Sequence, residues 1–138
     1  MKKIKDIQIE IVEEFDLFDD WLQKYEYIID LGKELNKLSS QHKNEDNLIK
    51  GCQSKVWLHA ESKGGYVHYF ADSDAIMTKG IISLLIRVLS NQPANEIIDA
   101  KLDFIDKIGL KEQLSATRAN GLLSMVKQMK IYALAYKN

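Results

Sequence analysis

The feature that most constrains the fold is a pair of alternating runs, Ser54 to Ser62 and Tyr66 to Asp72, separated by Gly64-Gly65. Glycines between two such runs predict a β-hairpin with a tight turn. With the two glycines as the central pair, Val56, Leu58, Ala60, Val67, Tyr69 and Ala71 share one face, and that face must pack inward. The other face carries Trp57, His59, His68 and Phe70, too apolar near its far end to be wholly solvated.

Helical patterns surround the hairpin. Ile4, Ile7, Ile11 and Phe15 follow spacings of three and four, one face of a short helix. Asp16 is expected to cap a second helix, with Asp19 and Asp20 in its first turn and Phe18, Trp21, Leu22, Tyr25, Ile28, Ile29 and Leu35 as its apolar stripe, ending near Asn36. Ser39 to Asn47 holds no apolar side chain and reads as a solvated loop. Asp72, Ser73 and Asp74 offer N-caps for a helix from Ala75 to Ser90 that is apolar nearly all round, hence central and buried. Pro93 suits the first position of a short helix through Ala100. Asp103 to Leu110 reads as one short strand plus a turn at Gly109, and Ser115 is the expected cap of a last helix with Ala119, Leu122, Val126, Met129 and Ala133 facing inward. Gly121 within that helix marks a close approach to another backbone. The whole is predicted to be one α+β domain over residues 1–138: a small antiparallel sheet, the hairpin with a candidate short third strand, packed with several helices.

Charge and hydropathy exclude several functions. Nineteen basic residues against 20 acidic give a net charge of −1, with no block of like charge, which argues against a nucleic-acid partner. The most apolar stretch, Gly80 to Ile86, is closed off by Lys79 and Arg87 and falls far short of the roughly 20 residues a membrane span needs. The N-terminus shows no secretory pattern, so no membrane association and a cytoplasmic location are expected.

Cys52 is the only cysteine, which rules out an internal disulfide and a four-cysteine metal or cluster site within one chain. It stands in Lys50-Gly51-Cys52-Gln53-Ser54, where a polar loop meets a strand, and Gly51 permits backbone angles that present the next side chain on a tight loop. Free cysteines also serve as small buried hydrophobes, and spacing alone does not separate that role from a reactive thiol. Lys50, Lys55 or Arg118 would favour the thiolate if close. His42, His59 and His68 are the imidazoles available for a Cys–His pair. Their spacing with Cys52 matches no zinc signature, so no metal is expected. Asp72 and Asp74 read as caps in preference to acid–base groups.

Gly51-Cys52-Gln53-Ser54-Lys55-Val56-Trp57 closely resembles the SufE family of sulfur-acceptor proteins, including its CsdE branch. Trp21-Leu22-Gln23-Lys24-Tyr25-Glu26-Tyr27-Ile28-Ile29-Asp30-Leu31-Gly32 is similar to the family's helix before the active loop. Asp72-Ser73-Asp74-Ala75, Lys79-Gly80 and Leu114-Ser115-Ala116-Thr117-Arg118-Ala119-Asn120-Gly121-Leu122 follow in the expected order, with Thr117 and Ala119 where the family more often has serine. The resemblance runs from Phe18 to the C-terminus.

It implies the fold shared with IscU-type scaffold proteins, and a chain that binds no cofactor of its own but partners a pyridoxal-phosphate cysteine desulfurase of SufS or CsdA type. Cys52 would accept sulfur as a persulfide and pass it to a SufBCD-type scaffold, the chain being a monomer or weak homodimer and a transfer partner in preference to a stand-alone enzyme. Arg118 and Asp74 would contact the partner or position the loop formed by Gly51, Cys52, Gln53 and Ser54. Cys52 is then expected to rest on apolar surface involving Trp57 and the central helix, with Ser39 to Ser54 swinging outward on binding. A stand-alone thiol enzyme and a non-catalytic adaptor are the alternatives.

Overall fold

The computed structural model describes residues 2–35 and 38–137. Helix α1 (Ile4–Phe15) buries Ile7, Ile11 and Phe15, the face its spacing predicts. Asp16 ends α1 and does not start the next helix. Asp20 is the cap: its side chain accepts from Gln23 N at 2.9 Å, and α2 spans Trp21–Lys33. The turn between them exposes Leu17, while the Phe18 ring returns to stack near Phe15 and Tyr27. Leu22, counted into the apolar stripe, is exposed, and Ile28 carries the helix's deepest contact. The expected end near Asn36 lies outside the described residues, the helix itself stopping at Lys33.

Residues 39–49 wind through two single 3₁₀ turns, Ser40–His42 and Glu45–Asn47. Strands β1 (Val56–Lys63) and β2 (Tyr66–Ser73) then form the antiparallel hairpin, Lys63 opposite Tyr66 and Val56 opposite Ser73. Gly64 and Gly65 both take positive φ, +61° and +85°, as the turn requires. Ser54, expected in the first strand, lies before it. All six residues assigned to the inner face are buried.

Helix α3 (Ile76–Leu89) buries nine side chains or glycine positions and packs on α1, α2 and the sheet. Its N-cap is Ala75, without a side-chain bond, so Asp72, Ser73 and Asp74 are not its caps. The third strand exists but not within Asp103–Leu110: β3 is Gln92–Pro93, paired with Tyr66 and Val67, an edge position where proline needs no ladder N–H. Helix α4 (Ala94–Asp99) follows with Pro93 as its N-cap. The segment expected to hold a strand is instead two helical turns, α5 (Phe104–Lys107) and α6 (Leu110–Gln113), hinged at Gly109, whose φ of +78° suits glycine.

Ser115 caps α7 (Ala116–Ala135), accepting from Arg118 N. Gly121, Leu122, Met125, Met129 and Ala133 are buried, with Ala119 and Val126 at the margin of that face. Three tyrosine hydroxyls bolt α7 to the sheet: Tyr69 donates to Met129 O at 2.6 Å, Tyr132 to Leu58 O at 3.3 Å and Tyr136 to Ala60 O at 3.1 Å. These bonds fix the helix relative to β1, and so to the segment that leads into β1. No helix among the described residues is long and apolar enough to cross a membrane.

A cysteine flap held against the last helix

Cys52 sits on the short segment between the 3₁₀ turns and β1. Gly51 has φ +93°, the left-handed region that a side chain would strain, and a Cβ there would stand 2.6 Å from Ser124 Oγ of α7. The next residue therefore lands on the same helix. Cys52 is half-buried, and its thiol donates to Gly121 O at 3.6 Å, its only hydrogen-bond partner among the described residues. Gly121 leaves the room: a Cβ on it would meet Cys52 Sγ at 3.5 Å and Cys52 Cα at 3.8 Å. The close approach read from Gly121 is thus an approach to the cysteine itself. Cys52 packs against the apolar core, and its hydrogen bond goes to α7.

Burial pushes the Cys52 thiol above its ordinary pKa, and none of Lys50, Lys55 or Arg118 offsets it. Arg118 is exposed in the first turn of α7, its backbone N–H bonded to the Ser115 cap. Among the described residues no histidine hydrogen-bonds the thiol, whose partner is Gly121 O, while His42 stacks on His59 and His59 contacts Glu61. Among the described residues nothing beside the sulfur favours its thiolate.

Both sides of the segment are pinned. On the approach, Lys43 Nζ lies 2.7 Å from Asp72 Oδ2, Leu48 bridges to Trp57, and Ile49 N donates to Val56 O at 2.8 Å. On the exit, Lys55 N donates to Asp74 Oδ1 at 3.0 Å, while Asp74 N and Ser73 Oγ donate to Lys55 O. Asp74 therefore meets the end of the loop directly, through the backbone of Lys55. Between these anchors only Lys50 to Ser54 remain, and Cys52 is their tie to α7. Within the expected Ser39 to Ser54 segment, these anchors fix the approach to the sheet and leave Lys50 to Ser54 as the stretch between them.

The Lys43–Asp72–Lys79 clamp was not legible from sequence, because its members lie far apart along the chain and read as surface charge and cap. Burial alone would raise the Asp72 carboxyl, but bonds from Lys43, Ser73 N–H and Lys79 outweigh it and hold the group below its usual value of 3.8. A carboxylate depressed in this way stabilises the fold above that usual value and loses its contribution as pH falls through the folded one. The clamp should fail below about pH 4, and Asp72→Asn should remove that part of the acid dependence. Thermal melting of both proteins between about pH 3 and pH 6 checks this, parallel curves for the two refuting it.

A surface hollow of about 720 Å³ between α1 and the α4–α5 region contains no cysteine, histidine or hydroxyl nucleophile in its lining. Size is therefore a poor guide here, and the chemistry points to Cys52.

Comparison with known proteins identifies the family. A family model described as SufE, an Fe–S metabolism associated domain, matches residues 9–133. An uncharacterised SufE-like protein of Rhizobium etli is 38% identical over 127 residues, covering 88% of this chain and 85% of that one. One from Synechocystis is 36% identical over 92% of this chain and 80% of its own. SufE-like protein 1 of Arabidopsis thaliana, described as chloroplastic and mitochondrial, is 42% identical over 91% of this chain but only 34% of its own length. The solution structure of a hypothetical protein from Thermus thermophilus superposes with a TM-score of 0.78, covering 94% and 95% of the two chains at 17% identity, which supports the fold. With the family match spanning nearly all of α1 through α7, this chain belongs to the SufE family and has a role in iron–sulfur metabolism.

Proposed function

We propose that this protein is a sulfur acceptor and persulfide carrier acting in the cytoplasm between a pyridoxal-phosphate cysteine desulfurase of SufS or CsdA type and a SufBCD-type assembly scaffold. The observation that carries the reading is the resting state of Cys52: one thiol, half-buried on a five-residue flap, bonded among the described residues only to a backbone carbonyl. A thiol enzyme that turns over alone needs a paired base or a resolving cysteine, and this thiol has neither. A carrier needs shelter for its sulfur and a way to present it.

The exchange balances without any further reactant. The Cys52 thiolate attacks the outer sulfur of the desulfurase persulfide; a new S–S bond forms to Cys52, the old S–S bond breaks, and the desulfurase thiolate leaves. The proton of the resting Cys52 thiol passes to solvent when the flap leaves α7. Desolvation is the cause of its raised pKa, so moving the thiol into a polar partner site lowers that pKa and activates it at the moment of transfer. Asp74 holds the exit anchor of the flap, and Arg118, exposed one turn before Gly121, would contact the partner in this reading.

Desulfurase turnover tests the reading. Wild-type protein should accelerate alanine release, whereas Cys52→Ser should bind the desulfurase without accelerating it. Acceleration by the serine variant equal to wild type would favour the adaptor. Arg118→Ala should lower stimulation with the melting temperature unchanged, as expected of an exposed side chain. Equal stimulation at equal affinity would remove Arg118 from the interface.

A further inference from the structure

The outer face of the hairpin carries a second cluster that sulfur transfer does not use. His42, on the Ser40–His42 turn, stacks on His59 of β1 with ring centroids 3.7 Å apart and planes 13° from parallel. His59 Nε2 lies 2.9 Å from Glu61 Oε2. One ligand atom from each of the three side chains lies within 4.8 Å of the other two.

The parts are held in place by structure that surrounds them. His59 and Glu61 are two residues apart on a strand, hence on one face, and β1 is paired with β2 along its whole length. The turn bearing His42 is braced by Asn44, whose side-chain amide donates to Gln41 O at 2.9 Å, and by Asn47, which donates to His42 O at 2.8 Å. Lys43, the next residue, is fixed to Asp72. The Gln41 amide nitrogen lies 3.3 Å from His42 Nε2, and a turn of the amide would bring its oxygen to accept from Nε2–H of a ring bound through Nδ1.

We propose that His42, His59 and Glu61 form a binding site for one divalent transition-metal ion, with zinc as its best match. Two imidazoles and a carboxylate are a borderline donor set, suited to zinc, nickel or copper and unsuited to calcium or magnesium, which take oxygen ligands. A tetrahedral ion with bonds of about 2.1 Å sets its ligand atoms about 3.4 Å apart. Because the stacked rings lie 13° from parallel, at least one imidazole must turn out of the stack before both in-plane lone pairs meet one ion, and Glu61, whose side chain is 59% exposed, is free to follow. Water fills the fourth position. The bound ion would clip the turn before the cysteine flap to β1, reinforcing the approach-side anchor. This departs from the expectation of no metal, which considered the histidines with Cys52 and left Glu61 out.

The test uses full-length, tag-free Cys52→Ser protein, so that the thiol takes no part. Titration with zinc by calorimetry should show one equivalent bound, and cobalt should give the intense visible bands of a tetrahedral site. His42→Ala and His59→Ala should each weaken zinc binding about tenfold or more, and Glu61→Gln by a smaller factor. Zinc should raise the melting temperature of the parent and not of His59→Ala. Absence of binding at about 1 mM zinc, or wild-type affinity in both histidine variants, would overturn the proposal.

Discussion

Gly80→Ala should destabilise the protein by about 2 kcal/mol or more, although alanine is the better helix former. A Cβ on Gly80 would run into the carbonyl oxygen of Ile28 and stand 2.6 Å from Ile28 Cγ2. Reciprocally, a Cβ on Gly32 would stand 2.7 Å from Gly80 N and 2.9 Å from Gly80 Cα. Helices α2 and α3 therefore cross backbone to backbone, and the obstacle is main chain that no rotamer change relieves. The helices must part, loosening the contacts of Ile28, Ile81 and Leu84 in the core. Overpacking against main chain falls at the upper end of its usual range or beyond, about 3 kcal/mol or more, and the gain in helix propensity returns about 1. At about 3 °C per kcal/mol the melting temperature should fall by about 6 °C or more. An unchanged or raised value would show that the crossing has slack.

Gly121→Val should free Cys52, raising its alkylation rate at neutral pH about tenfold as the thiol leaves α7 and the burial that disfavours its thiolate is relieved. Gly121→Ala is the control. Its Cβ would lie 3.5 Å from Cys52 Sγ, an ordinary contact, so the flap should stay seated and the helix should gain slightly in stability. Valine adds two methyls on a Cβ whose rotamer is nearly fixed in a helix, and they cannot both turn away from the sulfur. Time-resolved iodoacetamide labelling followed by mass spectrometry reads the difference. Equal rates for valine and alanine would mean that the contact with α7 does not shelter the thiol.

What the sequence made legible follows from how local each signal is. The α1 face, the inner face of the hairpin and the Ser115 cap depend on residues a few positions apart, and they stand as read. The role of Cys52 as the candidate centre came from its solitude and its glycine neighbour, together with the family resemblance. The errors arise where a distant partner decides. Asp72 and Asp74 have the composition of caps, yet their carboxylates face Lys43, Lys79 and the backbone of Lys55. Asp16 lost its capping role to Asp20 because Gln23 lies at the right distance to donate its N–H there. The third strand is two residues long, too short for alternation to register, while Asp103–Leu110 is apolar enough for either period. The resting place of Cys52 on α7 depends on 69 residues of separation, and Gly121 was its only local trace.

The central claim is that Cys52 carries sulfur, and intact mass tests it most directly. The protein should be incubated with a pyridoxal-phosphate cysteine desulfurase and free cysteine, beside the Cys52→Ser variant. The account requires a gain of one or more sulfur atoms on the wild type, reversed by reductant and absent from the variant. No gain from desulfurases that are themselves persulfidated, or an equal gain on the variant, would contradict it.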